Sequence, residues 1–350
     1  MKLIKIIAGL LIIFAGIIIG LLLFLTIIDY YPAEKETIRV EGKGSSIPPS
    51  SKNFTFLTWN IGYAGLGENM DFFYEGGKRV RPVKDEFNGY LKGICNCLST
   101  ADSIDFVFIQ EIDVHSKRSY FTDEVAEIGK SLPGKCSMFA KNYDSWFVPV
   151  PINDPMGRVV SGIATFTKFK PLSAERIDYG TRFSWPKQLA LLKRCFMIMR
   201  YNLNNGKDLV IVNLHNSTFD KGGKLRIKEL KKLQSYLLTE YSKGNYVVVG
   251  GDWNNNPRGF NPGSILSGDS AKLIEPALDS TFLPEWKFAF DSLAPSNRDV
   301  DMPYKKTKSK TTIIDFFVVS PNIEVLLTQT IATGFKFSDH QPVIMKIALK

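Results

Sequence analysis

From residue 54 to its end the chain alternates short apolar runs with longer amphipathic ones. The runs at 54–60, 106–110, 162–167, 196–201, 209–213, 246–249, 313–319 and 343–347 are rich in Val, Ile and Phe. Such short runs predict buried strands. Segments 84–98, 122–131 and 224–241 predict helices. In the last, Leu225, Leu230, Leu233 and Leu237 fall on one face with lysines opposite. Many strands and few helices predict two packed sheets with helices outside.

The first residues follow another pattern. After Lys2 and Lys5, the 23 residues from Ile6 to Ile28 carry no charge. As a helix they would be about 34 Å long, enough to cross a hydrocarbon layer of about 30 Å. The run is longer than the ~7–15 apolar residues of a signal peptide, and its exit lacks a small-x-small cleavage pattern. Residues 1–28 therefore read as a single-pass membrane anchor, with Tyr30 and Tyr31 at the interface. Lys2 and Lys5 on one side, and Asp29, Glu34 and Glu36 on the other, predict that the rest lies outside the cytoplasm. Gly16 and Gly20 have the spacing of a helix-dimer face, which is common in such helices, and the oligomeric state stays open. Residues 29–53, with Pro32, Gly42, Gly44, Pro48 and Pro49, read as a flexible linker. Residues 54–350 form the remaining domain.

Composition changes this picture little. Apolar residues at 44% and charged residues at 23% exclude a disordered chain. Four cysteines are too few for a disulfide framework, and Cys95 and Cys97 have no second pair with which to hold zinc. The balance of 44 Lys+Arg against 35 Asp+Glu, +9, suits any polyanionic partner and selects none.

Candidate chemistry sits where the apolar runs stop. They end in Asn60, in Glu111, in His215, and in Asp252 followed by Trp253 and Asn254; Asp315 interrupts another, and Asp339-His340 precedes the last. Strand ends on one edge of a sheet converge, so these side chains can line one cleft. Buried carboxylates need partners or a metal. Glu111 with Asn60, and Asp252 or Asp339, offers the hard oxygen ligands that Mg²⁺ prefers. Two of the three histidines lie at these positions and suit proton transfer and phosphate contact; His115 belongs to no such pattern and reads as surface.

The segments Thr-Trp-Asn60-Ile, Ile-Gln-Glu111-Ile-Asp, Val-Asn-Leu-His215, Gly-Gly-Asp252-Trp-Asn254, Ile-Ile-Asp315-Phe-Phe and Ser-Asp339-His340-Gln-Pro occur in this order. In that order they resemble the endonuclease/exonuclease/phosphatase superfamily, which includes deoxyribonucleases, neutral sphingomyelinases and inositol polyphosphate 5-phosphatases. The resemblance implies an α+β fold, a four-layer α/β/β/α sandwich, and hydrolysis of a phosphate ester with Mg²⁺ or Mn²⁺. It implies Glu111, Asn60 and Asp339 as metal-site residues. It implies His215 as a phosphate contact, and Asp252 and Asn254 as the pair that positions water and phosphate. Asp315 would orient His340, the acid/base group. Abasic-site enzymes carry an acid two residues after the first Asn; this chain has Gly62 there, which weakens the repair-enzyme reading.

Arg118, Asn297 and Arg298 are candidate substrate contacts, with solvated charge as the duller alternative. The loop 63–82, with Phe72, Phe73 and Tyr74 beside Lys78, Arg79 and Arg81, and the run Lys305, Lys306, Lys308, Lys310 can serve nucleic acid or a lipid headgroup. Equally, those aromatics can be core. The expectation is a membrane-tethered phosphodiesterase of nuclease type. A phospholipid, sphingomyelin or inositol-phosphate esterase is the alternative, and an inactive binding domain of the same fold the lesser one.

Overall fold

A computed structural model describes residues 1–100, 103–218, 223–265 and 275–350. Six strands pair in the order β14 (Ile323–Thr330), β15 (Val343–Leu349), β2 (Asn53–Asn60), β3 (Phe106–Asp113), β5 (Gly157–Thr167) and β4 (Cys136–Val148). Seven pair in the order β1 (Lys35–Thr37), β6 (Ser173–Asp178), β7 (Cys195–Asn202), β8 (Asp208–His215), β9 (Tyr246–Asp252), β13 (Asp315–Val319) and β10 (Lys287–Ala289). Each sheet has one parallel pair at its centre, β2 with β3 and β8 with β9, flanked by antiparallel neighbours. A short ribbon of β11 (Asn297–Arg298) and β12 (Thr311–Thr312) stands apart.

Period-two alternation sorts the strand residues onto two faces. Phe54, Phe56, Phe106 and Phe108 of one sheet meet Met197, Met199, Ile211, Val248 and Phe317 of the other in a core between the sheets. The outer faces are covered by helices. Phe87, Ile94 and Leu98 of α2 (Lys84–Ser99) and Ile128 of α3 (Glu124–Ser131) pack on Leu57, Trp59, Val107 and Ile109. Leu233 and Leu237 of α4 (Lys224–Ser242) pack on Val210, Val212, Val247 and Val249. The result is the expected four-layer α/β/β/α sandwich.

The differences from the sequence reading have local causes. The 122–131 helix starts at Glu124 because Asp123 caps it, accepting from the Ala126 N–H at 2.9 Å. Strand β4 was not legible because polar Lys141, Asn142 and Asp144 interrupt its apolar positions. Strand β14 is an edge strand broken by a bulge between Val325 and Leu327. The flexible linker expected at 29–53 is instead packed along the domain. Lys35–Thr37 pair with β6, Ile38 and Ile47 are buried, and Asp29 pairs with Lys193. Preceding it, helix α1 (Lys2–Ile27) has a mean hydropathy of 3.1 and none of its length buried, long and apolar enough to cross a membrane.

Candidate active site

The strand alternation that builds the core also builds the site. Residues 209, 211, 213 and 215 of β8 and 246, 248, 250 and 252 of β9 share the inward face, so His215 and Asp252 emerge at the same rim. They are register partners, and Asp252 is in turn paired with Asp315 on β13. Across the intersheet space, Asn60 ends β2 on its inward face. Glu111 should point elsewhere by parity, but the β3–β5 register slips between Gln110 and Ile112 and Glu111 takes φ 51. A bulge of this kind re-aims one side chain, and here it turns Glu111 into the cleft. Gly251, at φ 143, ends β9 where a Cβ would lie 2.1 Å from the Leu214 carbonyl.

The groups meet in a cleft of about 740 Å³ lined by Glu111, His215, Asp252, Asn254, Asn297, Asp339 and His340 among others. Asn60 bridges the sheets: its Nδ2 donates to Glu111 Oε1 at 3.2 Å and to Asp252 Oδ2 at 2.9 Å. The Gly62 N–H donates to its Oδ1 at 3.0 Å and so fixes the amide's orientation. Asp252 Oδ1 accepts from the Asn254 N–H at 2.9 Å, and Asn254 Nδ2 donates to the Asn216 carbonyl at 2.9 Å. His340 Nδ1 lies 2.7 Å from Asp315 Oδ2, and its Nε2 lies 3.0 Å from Asn297 Nδ2. His215 Nε2 is 3.4 Å from Asp252 Oδ2 and 3.7 Å from Glu111 Oε1. All eight residues that the sequence assigned to catalysis or metal thus surround one cleft or hold a residue that does.

Burial sets the electrostatics. It pushes Asp252 up to about 7, with Asp315 adding and His340 and Asn60 opposing, and Asp339 up to about 6, with Glu111 adding. His215 is driven well below its ordinary value by burial and by Arg194. Burial opposes a charge on His340 too, but Asp315 and Asp339 overcome it and hold the ring well above its ordinary value. The two imidazoles therefore differ: one neutral, one an acid paired with a carboxylate.

The three candidate substrate contacts diverge. Asn297 reaches the cleft beside His340. Arg118 is buried in the wall, bidentate to Asp113 at 2.9 and 3.0 Å and stacked 3.7 Å from the Tyr63 ring. Arg298 donates to the carbonyls of Leu66, Gly67, Asp299 and Met302, so its guanidinium holds loops together. In the loop 63–82, Phe72 is buried against Phe73 and Tyr74, while Arg79 pairs with Glu86 and Arg81 with Asp154. Phe72 is thus a packing group, whereas Tyr74 is exposed, and both line the cleft. His115 is exposed, as expected. Gly62 also has a structural reason: a Cβ there would lie 2.9 Å from Asp339 Oδ1.

Sequence reasoning missed Arg194. It is buried in the cleft wall, and its Nη1 has no hydrogen-bond partner among the described residues. Its one sequence signal is position: it immediately precedes β7, the strand beside the one that ends in His215. Tyr63 likewise lines the cleft with an unpartnered buried hydroxyl.

The donor set suits a hard divalent cation. Glu111, Asp252 and His215 place ligand atoms within 4.8 Å of one another, as do Asp252, Asp315 and His340. Burial disfavours the charged forms of Asp252 and Asp339, which a nearby dication would favour.

Two facing sheets with a carboxylate–imidazole cleft at one rim define a phosphoesterase fold. The chain belongs to the Endonuclease/Exonuclease/phosphatase family, whose sequence profile matches residues 57–340. Among solved structures it is similar to the endonuclease/exonuclease/phosphatase from Bacteroides vulgatus (TM-score 0.54, 15% identity, covering 86% of this chain and 100% of that one). The protein of the same description from Beutenbergia cavernae gives a TM-score of 0.54 at 14% identity, covering 85% of this chain and 72% of that one. The catalytic domain of human Nocturnin, solved with a sulfate anion, gives 0.51 at 15% identity, covering 89% and 98%. At these identities the likeness is one of fold. No curated protein matches the chain.

Proposed function

We propose that this chain is a divalent-metal-dependent phosphoester hydrolase anchored to a membrane by α1, its catalytic domain outside the cytoplasm. The observation that carries the reading is the single cleft in which His340, 2.7 Å from Asp315, lies beside Asp252, itself joined through Asn60 to Glu111. Glu111 and Asp339 would hold Mg²⁺ or Mn²⁺, with Asn60 orienting the Glu111 carboxylate. The ion would supply charge for a substrate phosphate oxygen and its developing negative charge.

The chain's own groups divide the remaining work. Asp252 is central, bordered by Asn60, His215 and His340, and takes the proton of the attacking water. Asn254, held by Asp252 and Asn216, positions that water and a phosphate oxygen. Neutral His215 donates Nε2–H to phosphate, and His340, kept charged by Asp315, offers its Nε2 proton to the same group, with the Asn297 amide, whose Nδ2 stands 3.0 Å from that nitrogen, turning its oxygen to it. Arg194 adds a cation whose free N–H lies in the same wall. The aromatic loop 63–82 does not choose between nucleic acid and a lipid headgroup: Phe72 is buried and Tyr74 exposed, and both line the cleft, so the substrate is assigned here only as a phosphate ester.

The test is hydrolysis of bis-p-nitrophenyl phosphate by the full chain in detergent. Turnover with Mg²⁺ that a chelator abolishes is expected. A folded protein inert toward this ester and toward p-nitrophenyl phosphate, with Mg²⁺ or Mn²⁺ present, would favour the inactive binding domain.

A further inference from the structure

The end of the anchor and the wall of the cleft are the same piece of structure. Trp185 Nε1 donates to Thr26 Oγ1 of α1 at 3.1 Å. Asp29, two residues past α1, pairs with buried Lys193 at 2.7 Å. Tyr30 lies 3.9 Å beneath the Lys141 ammonium, and Arg182 stands over Tyr31. Apart from Lys141 of β4, these contacts come from the loop before β7, which also supplies Phe183, Lys187, Leu191, Leu192 and Arg194 to the cleft lining. Lys193, which grips the anchor exit, and Arg194, which faces the cleft, are adjacent residues, about 3.8 Å apart along the backbone. No flexible spacer separates membrane from site.

The hairpin between β4 and β5 flanks the same loop. Tyr143 OH donates to the Ala190 carbonyl at 2.7 Å and Ser145 Oγ to the Leu189 carbonyl at 2.9 Å. Just beyond those contacts the hairpin exposes Trp146 (57%), Phe147, Val150 and Ile152 (91%), and the loop exposes Trp185 (54%). The other three tryptophans, Trp59, Trp253 and Trp286, are buried. Trp185 is thus bonded to the end of an apolar helix, and the other exposed groups stand on the hairpin that flanks its loop. Exposed tryptophan and aliphatic side chains have the chemistry of a bilayer interface, where indole rings sit at headgroup level.

We propose that Trp146, Phe147, Val150, Ile152 and Trp185 form a lipid-contact edge that enters the interfacial layer of the bilayer crossed by α1. The cleft mouth then opens at headgroup level, and its substrate is a phosphate ester of a membrane lipid. The inference rests on the anchored-hydrolase reading above and deepens it by naming the substrate class.

The test uses the full chain in phosphatidylcholine bilayers with and without bromine on the acyl chains, reading tryptophan fluorescence. Bromine should quench the wild type. Trp146→Phe and Trp185→Phe should each lose part of that quenching, and the double variant nearly all of it. Quenching that vanishes completely in Trp185→Phe would confine lipid contact to the anchor exit and overturn the edge. In a second arm, Phe147→Asp/Ile152→Asp should slow release of headgroup from vesicles of phosphatidylcholine, phosphatidylglycerol and sphingomyelin by about tenfold. Its rate on soluble bis-p-nitrophenyl phosphate should be unchanged. Equal loss on both substrates, or none on vesicles, would contradict the proposal, as would wild-type turnover of plasmid DNA with all three vesicles left intact. Failure of the underlying reading is visible separately: protein that does not float with vesicles removes the anchor, and a wild type inert on the soluble ester removes the hydrolase. Full quenching without hydrolysis of any ester would retain the lipid edge and overturn the substrate assignment.

Discussion

Two of the places where this molecule buries carboxylates treat them differently. Behind α4, Glu229 is fully buried and its oxygens are saturated: Oε1 accepts from Thr181 Oγ1 at 2.8 Å and Ser217 Oγ at 2.6 Å, and Oε2 from the Ser217 N–H at 2.9 Å. In the cleft, Glu111, Asp252 and Asp339 crowd together, and burial pushes Asp252 up to about 7 and Asp339 up to about 6. Around them His215 Nδ1, Arg194 Nη1 and Asp315 Oδ1 have no partner. A buried acid with all its hydrogen bonds made is a structural tie. Acids crowded among polar atoms without partners have the chemistry of a functional site.

That contrast can be broken most forcefully by exchanging one atom in each place. Asp252→Asn should lower kcat on bis-p-nitrophenyl phosphate by roughly 10³-fold with little net change in melting temperature, because setting its amide N–H against Asn60 Nδ2 or the Asn254 N–H is offset by removing a charge that burial disfavours. Glu229→Gln should do the reverse: its amide oxygen can still accept from the Ser217 N–H and its NH₂ face the two hydroxyls, but the charge-assisted bonds are lost, costing about 1–3 kcal/mol of stability with kcat per folded molecule near the wild type. Thermal denaturation beside steady-state kinetics separates the two.

Within the cleft, His340→Ala and Asp315→Ala should each lose roughly 10²–10⁴-fold, and the double variant little more, because the pair acts as a unit. Multiplying losses would separate them. A smaller effect is expected at Arg194: Arg194→Ala should lower kcat/KM by roughly tenfold to a hundredfold, the loss of one charge-assisted hydrogen bond, with Arg194→Lys recovering part.

The smallest effect lies outside the cleft. Glu240 is held at about 2; burial opposes its charge, but Arg200, Lys243 and Asn245 outweigh it. Because its folded value is depressed from 4.5, its stabilisation is complete above pH 4.5 and is lost as pH falls toward 2. Denaturation of Glu240→Gln against the wild type should show a deficit at neutral pH that closes over that range. A deficit independent of pH would mean the carboxylate charge is not what stabilises.

The parts of this account that were legible in the sequence are those where polarity breaks an apolar run. Asn60, His215, Asp252 and Asp315 announced themselves because a strand of Val, Ile and Phe has no local reason to end in an acid or imidazole. What the sequence hid depends on geometry between distant segments. Nothing local tells that Glu111 sits on a bulge, that the Arg298 guanidinium is taken up by four carbonyls, or that Arg194 Nη1 lacks a partner among the described residues. Three-residue β1 is too short to show a period, so Lys35–Thr37 read as linker although it adds a strand to a sheet.

The central claim is that far-separated residues form one cation-dependent hydrolytic centre. It is tested most directly by the rate of bis-p-nitrophenyl phosphate hydrolysis by the wild type and Glu111→Gln across a Mg²⁺ titration. The account predicts a wild-type rate that falls to background with chelator and returns with Mg²⁺, and a variant that is slower and needs more Mg²⁺ to reach half its maximum. A wild-type rate indifferent to chelator, or a variant with the same Mg²⁺ dependence, would contradict it.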